Sequence, residues 1–220
     1  MADNNIHKNH RSRMREKYRR QGAEAFEAHQ LLEMLLFHSI RQGDTNPAAH
    51  NLLNSCTDAI LGSDSQNDLC SIEGVGPCSA NLVRVSADTV LRILTDRLSS
   101  EKMDSEFSRK AYLWLWFQNK NKKTVAALLL DGKDRFIDCV CLAKGRTVRP
   151  EDYRDVLLEK MRETGAVKAV ISHRHANNTK APSVEDVYLT GYLKGELENK
   201  GLCLSAHYIL TDSDCVECPF

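Results

Sequence analysis

Val167-Lys-Ala-Val-Ile-Ser-His173-Arg-His175 is followed, after six residues, by Pro182-Ser183-Val-Glu-Asp186. The apolar run Val167 to Ser172 reads as a buried strand, and His173 and His175 close it. Side chains two apart on a strand point to the same side, so both imidazoles face one way. Ser183 to Asp186 opens the next helix, which lets the Asp186 carboxylate turn back towards the strand's end. Ser-x-x-Asp is also a capping box, and His-x-His at a strand end is often only solvent-facing. Two imidazole nitrogens and one carboxylate oxygen suit tetrahedral Zn²⁺ and leave a fourth position for water. Ser183 stands where a hydroxyl could bond that water or a developing oxyanion.

Working outward, the second half of the chain alternates strands and helices. Val125 to Leu130 and Phe136 to Leu142 are apolar runs joined by Asp131-Gly132-Lys-Asp134, a hairpin signal. Pro150 to Glu163 reads as a helix with proline in its first turn. Ser183 to Lys200 is a helix closed by Gly201, and Leu202 to Thr211 is a further strand. This order predicts a mixed sheet covered by helices.

Residues up to Leu98 read as helical. One helix is expected over Glu24 to His38, whose block Leu31, Leu32, Met34, Leu35, Leu36, Phe37 predicts burial on most sides. A second carries Ala48, Ala49, Leu52 and Leu53, and a third runs from Asn81 to Leu94. The polar stretch Ser99 to Ser108 is the best linker candidate. The expected division is therefore a helical domain over 1–98, a linker over 99–108 and an α/β domain over 109–220, α+β overall.

The chain has 220 residues, 42% hydrophobic and 27% charged, as in soluble globular proteins. Thirty basic residues balance thirty acidic ones, which argues against polyanion binding by the chain as a whole. Its apolar runs fall well short of the roughly 18 residues a membrane helix needs, so no membrane partner is expected. No apolar segment follows the basic N-terminus, so an export signal is not expected and a cytoplasmic location is. Eight cysteines without such a signal read as mostly reduced. Cys215-Val-Glu-Cys218 has metal-ligand spacing without a second pair, and free thiols are the better reading.

Two features bear on nucleic acid. Lys8, Arg11, Arg13, Arg15, Lys17, Arg19 and Arg20 stand within thirteen residues against the single acid Glu16. Such a run is either a solvated face or a phosphate-contacting segment. Gly74-Val-Gly76 leads into a helix, a pattern that resembles a helix-hairpin-helix, which grips DNA backbone without reading sequence. Either packing or DNA contact explains the glycines. Pro77, Cys78 and Ser79 stand where such hairpins often carry a cation.

The His173, His175, Ser183 and Asp186 pattern matches the signature of the JAB/MPN (JAMM) metalloprotease-like fold, and the whole chain resembles RadC-family proteins. Asp44-Thr-Asn-Pro-Ala-Ala-His50, Leu129-Leu-Asp131, Pro182-Ser183, Thr190 and the strand containing His207 add to the match. The resemblance implies an all-α helix-hairpin-helix region followed by a cytidine-deaminase-like JAB/MPN domain. It implies a zinc ion held by His173, His175 and Asp186, with Ser183 as the catalytic helper of amide or isopeptide hydrolysis on a peptide or protein substrate. The family's general-base glutamate falls at Lys123, which predicts impaired catalysis, since a cation cannot take a proton from water. The acids Asp131, Asp134 and Asp138 fall elsewhere in that register. Ala176-Asn177-Asn178 also replaces the family's usual Pro-Ser-Gly. The alternative is a non-catalytic, DNA-associated binding protein with a structural or vestigial metal site, contacting DNA weakly through the basic run and Gly74 and Gly76.

Overall fold

A computed structural model of the chain describes residues 9–55, 69–118, 120, 124–144, 149–175, 178–211 and 214–219. The chain divides into two compact units, Met1–Val90 and Leu91–Phe220. The fold is α+β, with helices in the N-terminal part and a sheet in the C-terminal part.

The first unit holds α1 (His10–Gln21), a 3₁₀ turn (Ala23–Ala25), α2 (Ala28–Leu36), α3 (Asn46–Asn54) and the start of α4 (Pro77–Ser99). The expected helix over Glu24 to His38 is broken. Glu27 is extended, and its backbone N–H donates to Gln30 Oε1 at 3.1 Å in a capping box, so α2 starts only at Ala28. Of the apolar block, Leu36 and Phe37 are fully buried and its other members are half-buried, while Glu33 is 1% exposed. Leu36, Ala48, Ala49, Leu52, Leu69, Val75, Ala80 and Val83 form the core of this unit. Gly74 has φ 84°, and a Cβ there would lie 3.0 Å from Ala48 Cβ, so both conformation and close approach call for glycine.

The second unit is built on a five-stranded sheet in the order β2-β1-β3-β4-β5, with β1 Thr124–Leu130, β2 Phe136–Lys144, β3 Lys168–Arg174, β4 Cys203–Leu210 and β5 Cys215–Glu217. β1 lies inside the sheet and is apolar on both faces, as a strand covered on both sides must be. Ala126, Leu128 and Leu130 pack with Tyr112, Leu113 and Phe117 of α5 (Glu106–Phe117). Ala127 and Leu129 pack on the other face with Leu157 and Met161 of α6 (Pro150–Thr164) and Leu193 and Leu197 of α7 (Val184–Glu198). β3 and β4 are parallel, and α7 makes the crossover between them.

The Asp131 carboxylate organises the β1–β2 turn by accepting the N–H groups of Lys133 at 2.8 Å and Arg135 at 2.9 Å. The left-handed residue in the turn is Asp134, φ 60°, rather than Gly132. Within the polar stretch 99–108, Met103 is completely buried and its N–H donates to the Asp134 carbonyl at 2.8 Å.

Candidate metal centre

Strand periodicity delivers the two histidines. Ala169, Ile171 and His173 alternate with Val170, Ser172 and Arg174, which places His173 on the α6–α7 side of the sheet. His175 follows in phase, its N–H held by the Leu210 carbonyl at 3.1 Å. Ser183 is the N-cap of α7: its Oγ accepts the Asp186 N–H at 3.1 Å, and its own N–H donates to Asp186 Oδ2 at 2.8 Å. The Ser183 hydroxyl donates to the same oxygen at 2.7 Å.

The carboxylate so held meets both imidazoles. His173 Nε2 lies 3.1 Å from Asp186 Oδ1 and His175 Nε2 lies 3.0 Å from Oδ2. One donor atom from each residue falls within 4.8 Å of the others, the one group of three metal-ligating side chains among the described residues. Burial alone would raise the Asp186 carboxyl. Hydrogen bonds from His173 and Ser183 outweigh that and hold it well below the usual carboxylate range.

The outer nitrogens are occupied too. His175 Nδ1 lies 2.9 Å from the Thr179 carbonyl, which can only accept, so Nδ1 carries a proton and Nε2 is the nitrogen turned to Asp186. His173 Nδ1 lies 3.0 Å from Nε2 of His207, which is fully buried. Burial, and then the neighbouring His173, push His207 down to about 3, so it is neutral. Two imidazole nitrogens and an ionised carboxylate are a donor set that zinc accepts.

The chemistry of the donor set therefore fits a zinc ion held by His173, His175 and Asp186. Asp131, Asp134 and Asp138 lie elsewhere. Val125 pairs with His173, whereas Asp138 pairs with Leu129, four residues and about 13 Å further along β1. Asp131 bonds Arg135 and Asp134 bonds Lys168 at that same far end. Lys123 lies outside the described residues, as do Ala176, Asn177 and Lys8.

A family model described as the RadC-like JAB domain matches residues 103–217. The chain belongs to the RadC-like JAB domain family. It is 28% identical over 212 residues to a UPF0758 protein of Fusobacterium nucleatum subsp. nucleatum, covering 92% of this chain and 91% of that one. A UPF0758 protein of Geobacter sulfurreducens is 30% identical over 213 residues, 91% of this chain and 90% of that protein. A third, from Ruegeria pomeroyi, is 25% identical over 209 residues, with 94% and 93% covered. The family match thus spans the strand, loop and helix that build the site.

The other sequence-derived candidates fall as follows. Arg11 donates to the carbonyls of Ile40 at 2.7 Å, Arg41 at 3.1 Å and Gly43 at 3.0 Å, and lies over the Phe37 ring. Arg15 also lies over Phe37, Lys17 bonds the Ala25 carbonyl, and Arg19 pairs with Glu16. Arg13 and Arg20 are exposed. Gly74 packs on Ala48, while Gly76 meets nothing within 4 Å. Cys215 packs on the α5 side of the sheet and Cys218 beside Thr190 on the other, both as free thiols. Among the described residues no helix is long and apolar enough to cross a membrane.

His207 and Thr190 are the site residues that sequence reasoning about metal ligands left out. They lie outside the His-x-His and Ser-x-x-Asp spacing, and only their match to the family drew attention to them.

Proposed function

We propose that this chain is a zinc-binding protein of the metallopeptidase type, built for amide or isopeptide bonds and weakened in catalysis. The observation that carries this reading is the convergence of His173, His175 and Asp186 donor atoms within 4.8 Å of one another. When bound, zinc would act as a Lewis acid on the scissile carbonyl and lower the pKa of water. His173, His175 and Asp186 hold it. Ser183 steadies Asp186 and can turn its hydroxyl proton to an oxyanion, since Asp186 Oδ2 keeps the Ser183 N–H. A general base is the missing part: Lys123 occupies the family's glutamate position, and Asp131, Asp134 and Asp138 sit at the opposite end of β1. General-base assistance is worth about 10²–10⁴-fold, so turnover should be slow.

The test is hydrolysis of a panel of peptide and isopeptide-linked substrates by the zinc-loaded full chain and by Lys123→Glu. Near-background turnover in the wild type, raised in Lys123→Glu and lost on chelation, supports the reading. Fast wild-type turnover, unchanged by Lys123→Ala and abolished by His175→Ala, would assign the base to another group. A chain that takes up no zinc removes the reading altogether.

A second reading, weak sequence-independent DNA contact, is favoured by one observation. Arg13, Lys17 and Arg20 line one groove along α1, with Glu16 as the acid beside them. Binding that falls steeply with salt in a hydrolytically inert protein would favour it over the enzyme.

A further inference from the structure

We infer that Thr190 and His207 form a hydrogen-bond relay that, once a metal is bound, holds His173 in the tautomer whose Nε2 lone pair serves the ion, which makes both of them positioning residues for the metal. The inference rests on the metal reading above and extends it to residues that touch no ligand themselves.

The difficulty the relay resolves is specific to His173. The partner of His175 Nδ1 is a carbonyl, which accepts only, so that tautomer is settled by one contact. The partner of His173 Nδ1 is another imidazole, His207 Nε2 at 3.0 Å, which can either donate or accept. If His207 donated, the His173 proton would sit on Nε2, and the nitrogen facing Asp186 would have no lone pair to offer.

The other end of His207 decides. Its Nδ1 lies 2.7 Å from Thr190 Oγ1, and that hydroxyl lies 2.6 Å from the backbone carbonyl of Asp186. The carbonyl accepts only and the threonine hydroxyl has a single proton, so the proton goes to the carbonyl. Thr190 Oγ1 must then accept from His207 Nδ1–H. His207 Nε2 is left with the lone pair, accepts from His173 Nδ1–H, and frees His173 Nε2 for an ion. Thr190 and His207 are 1% and 0% exposed, so water does not compete for these bonds. Cys218 N–H donates to the His207 carbonyl at 2.7 Å, and Ile171 pairs with His207 across β3 and β4, which fixes the ring's position. The relay also starts from the backbone of Asp186, so one turn of α7 orients the carboxylate and one of the imidazoles together.

The experiment uses the full chain with Thr190→Val, Thr190→Ser and His207→Gln, and reads zinc affinity by chelator competition, histidine tautomers by ¹⁵N NMR, and folding by thermal melting. In the zinc-bound wild type, His207 and His173 should each carry the ring proton on Nδ1. Thr190→Val should lower zinc affinity about 10–100-fold, the usual cost of losing an outer-shell partner, and mix the His207 tautomers. Thr190→Ser keeps the hydroxyl and should restore both. His207→Gln offers an amide oxygen near the Nε2 position and should retain most of the affinity if Thr190→Val does not fold. Zinc-bound wild type with His207 protonated on Nε2 would overturn the relay, as would a folded Thr190→Val with unchanged affinity and tautomer. A wild-type chain that binds no zinc would instead sink the metal reading and the relay with it, whereas normal zinc uptake with an unaffected Thr190→Val sinks the relay alone.

Discussion

Ser183 and Asp186 cap helix α7 and shape the candidate metal centre with the same atoms. Asp186 Oδ2 receives both the Ser183 N–H and the Ser183 hydroxyl, while Oδ1 meets only His173 among the bonds described. Capping box and candidate metal ligand, two competing explanations of Ser-x-x-Asp, are therefore compatible in one arrangement. The cap orients the carboxylate by a local interaction, so the ligand is preorganised as soon as the helix forms.

From this coupling, purified chain should carry about one zinc, and His173→Ala or Asp186→Ala should lower the content severalfold by leaving too few ligands. Ser183→Ala should have two effects at once: about 1 kcal/mol of stability lost with the cap, and weaker zinc binding from a looser carboxylate. Elemental analysis and thermal melts of the same samples check both.

Arg11 and Arg13 should separate by phenotype although both stand in the basic run. Arg11→Ala removes hydrogen bonds to the Ile40, Arg41 and Gly43 carbonyls and should destabilise the first unit by about 1–2 kcal/mol. Arg13→Ala with Arg20→Ala should leave stability within about 0.5 kcal/mol per site. If α1 contacts DNA, that double variant lowers affinity and reduces the salt slope by about two, since each contact releases about one counterion. Unfolding curves and duplex binding at several salt concentrations give the answer.

Gly74→Ala should cost about 1–3 kcal/mol, because alanine is strained in the left-handed region and its Cβ would crowd Ala48. Gly76→Ala meets open space and should cost less. Denaturant unfolding of the two variants measures the difference.

Asp131 supplies a pH dependence. Hydrogen bonds from the Arg135 backbone and then its side chain hold the carboxyl down to about 2, below its ordinary value of about 4. Its stabilisation is complete above that ordinary value and is lost as pH falls through about 2. Wild type should thus lose more stability than Asp131→Ala between about pH 4 and 2. Acid titration of the two melting temperatures tests it.

The local signals were sufficient for much of this protein. Period-two alternation placed His173 and His175 on one side of a strand, and the helix start after Pro182 placed Asp186 facing them. Both are consequences of backbone geometry within a few residues. The apolar runs Val125 to Leu130 and Phe136 to Leu142, with the turn between them, announced the β1–β2 hairpin. What lay beyond local reach was decided by pairing across the fold. Glu33 sits in an apolar block and is nonetheless buried, because His10 from α1 meets it at 2.9 Å. Asp138 is remote from the site only because β1 and β2 pair in the register that sets it against Leu129. His207 reaches His173 only because β3 and β4 run parallel and α7 carries the chain back between them. The physical reason is common to all three. Periodicity and capping are written in neighbouring residues, whereas the partners that would ready His173 for a metal are a threonine and a histidine that only the assembled sheet and its crossover helix bring together.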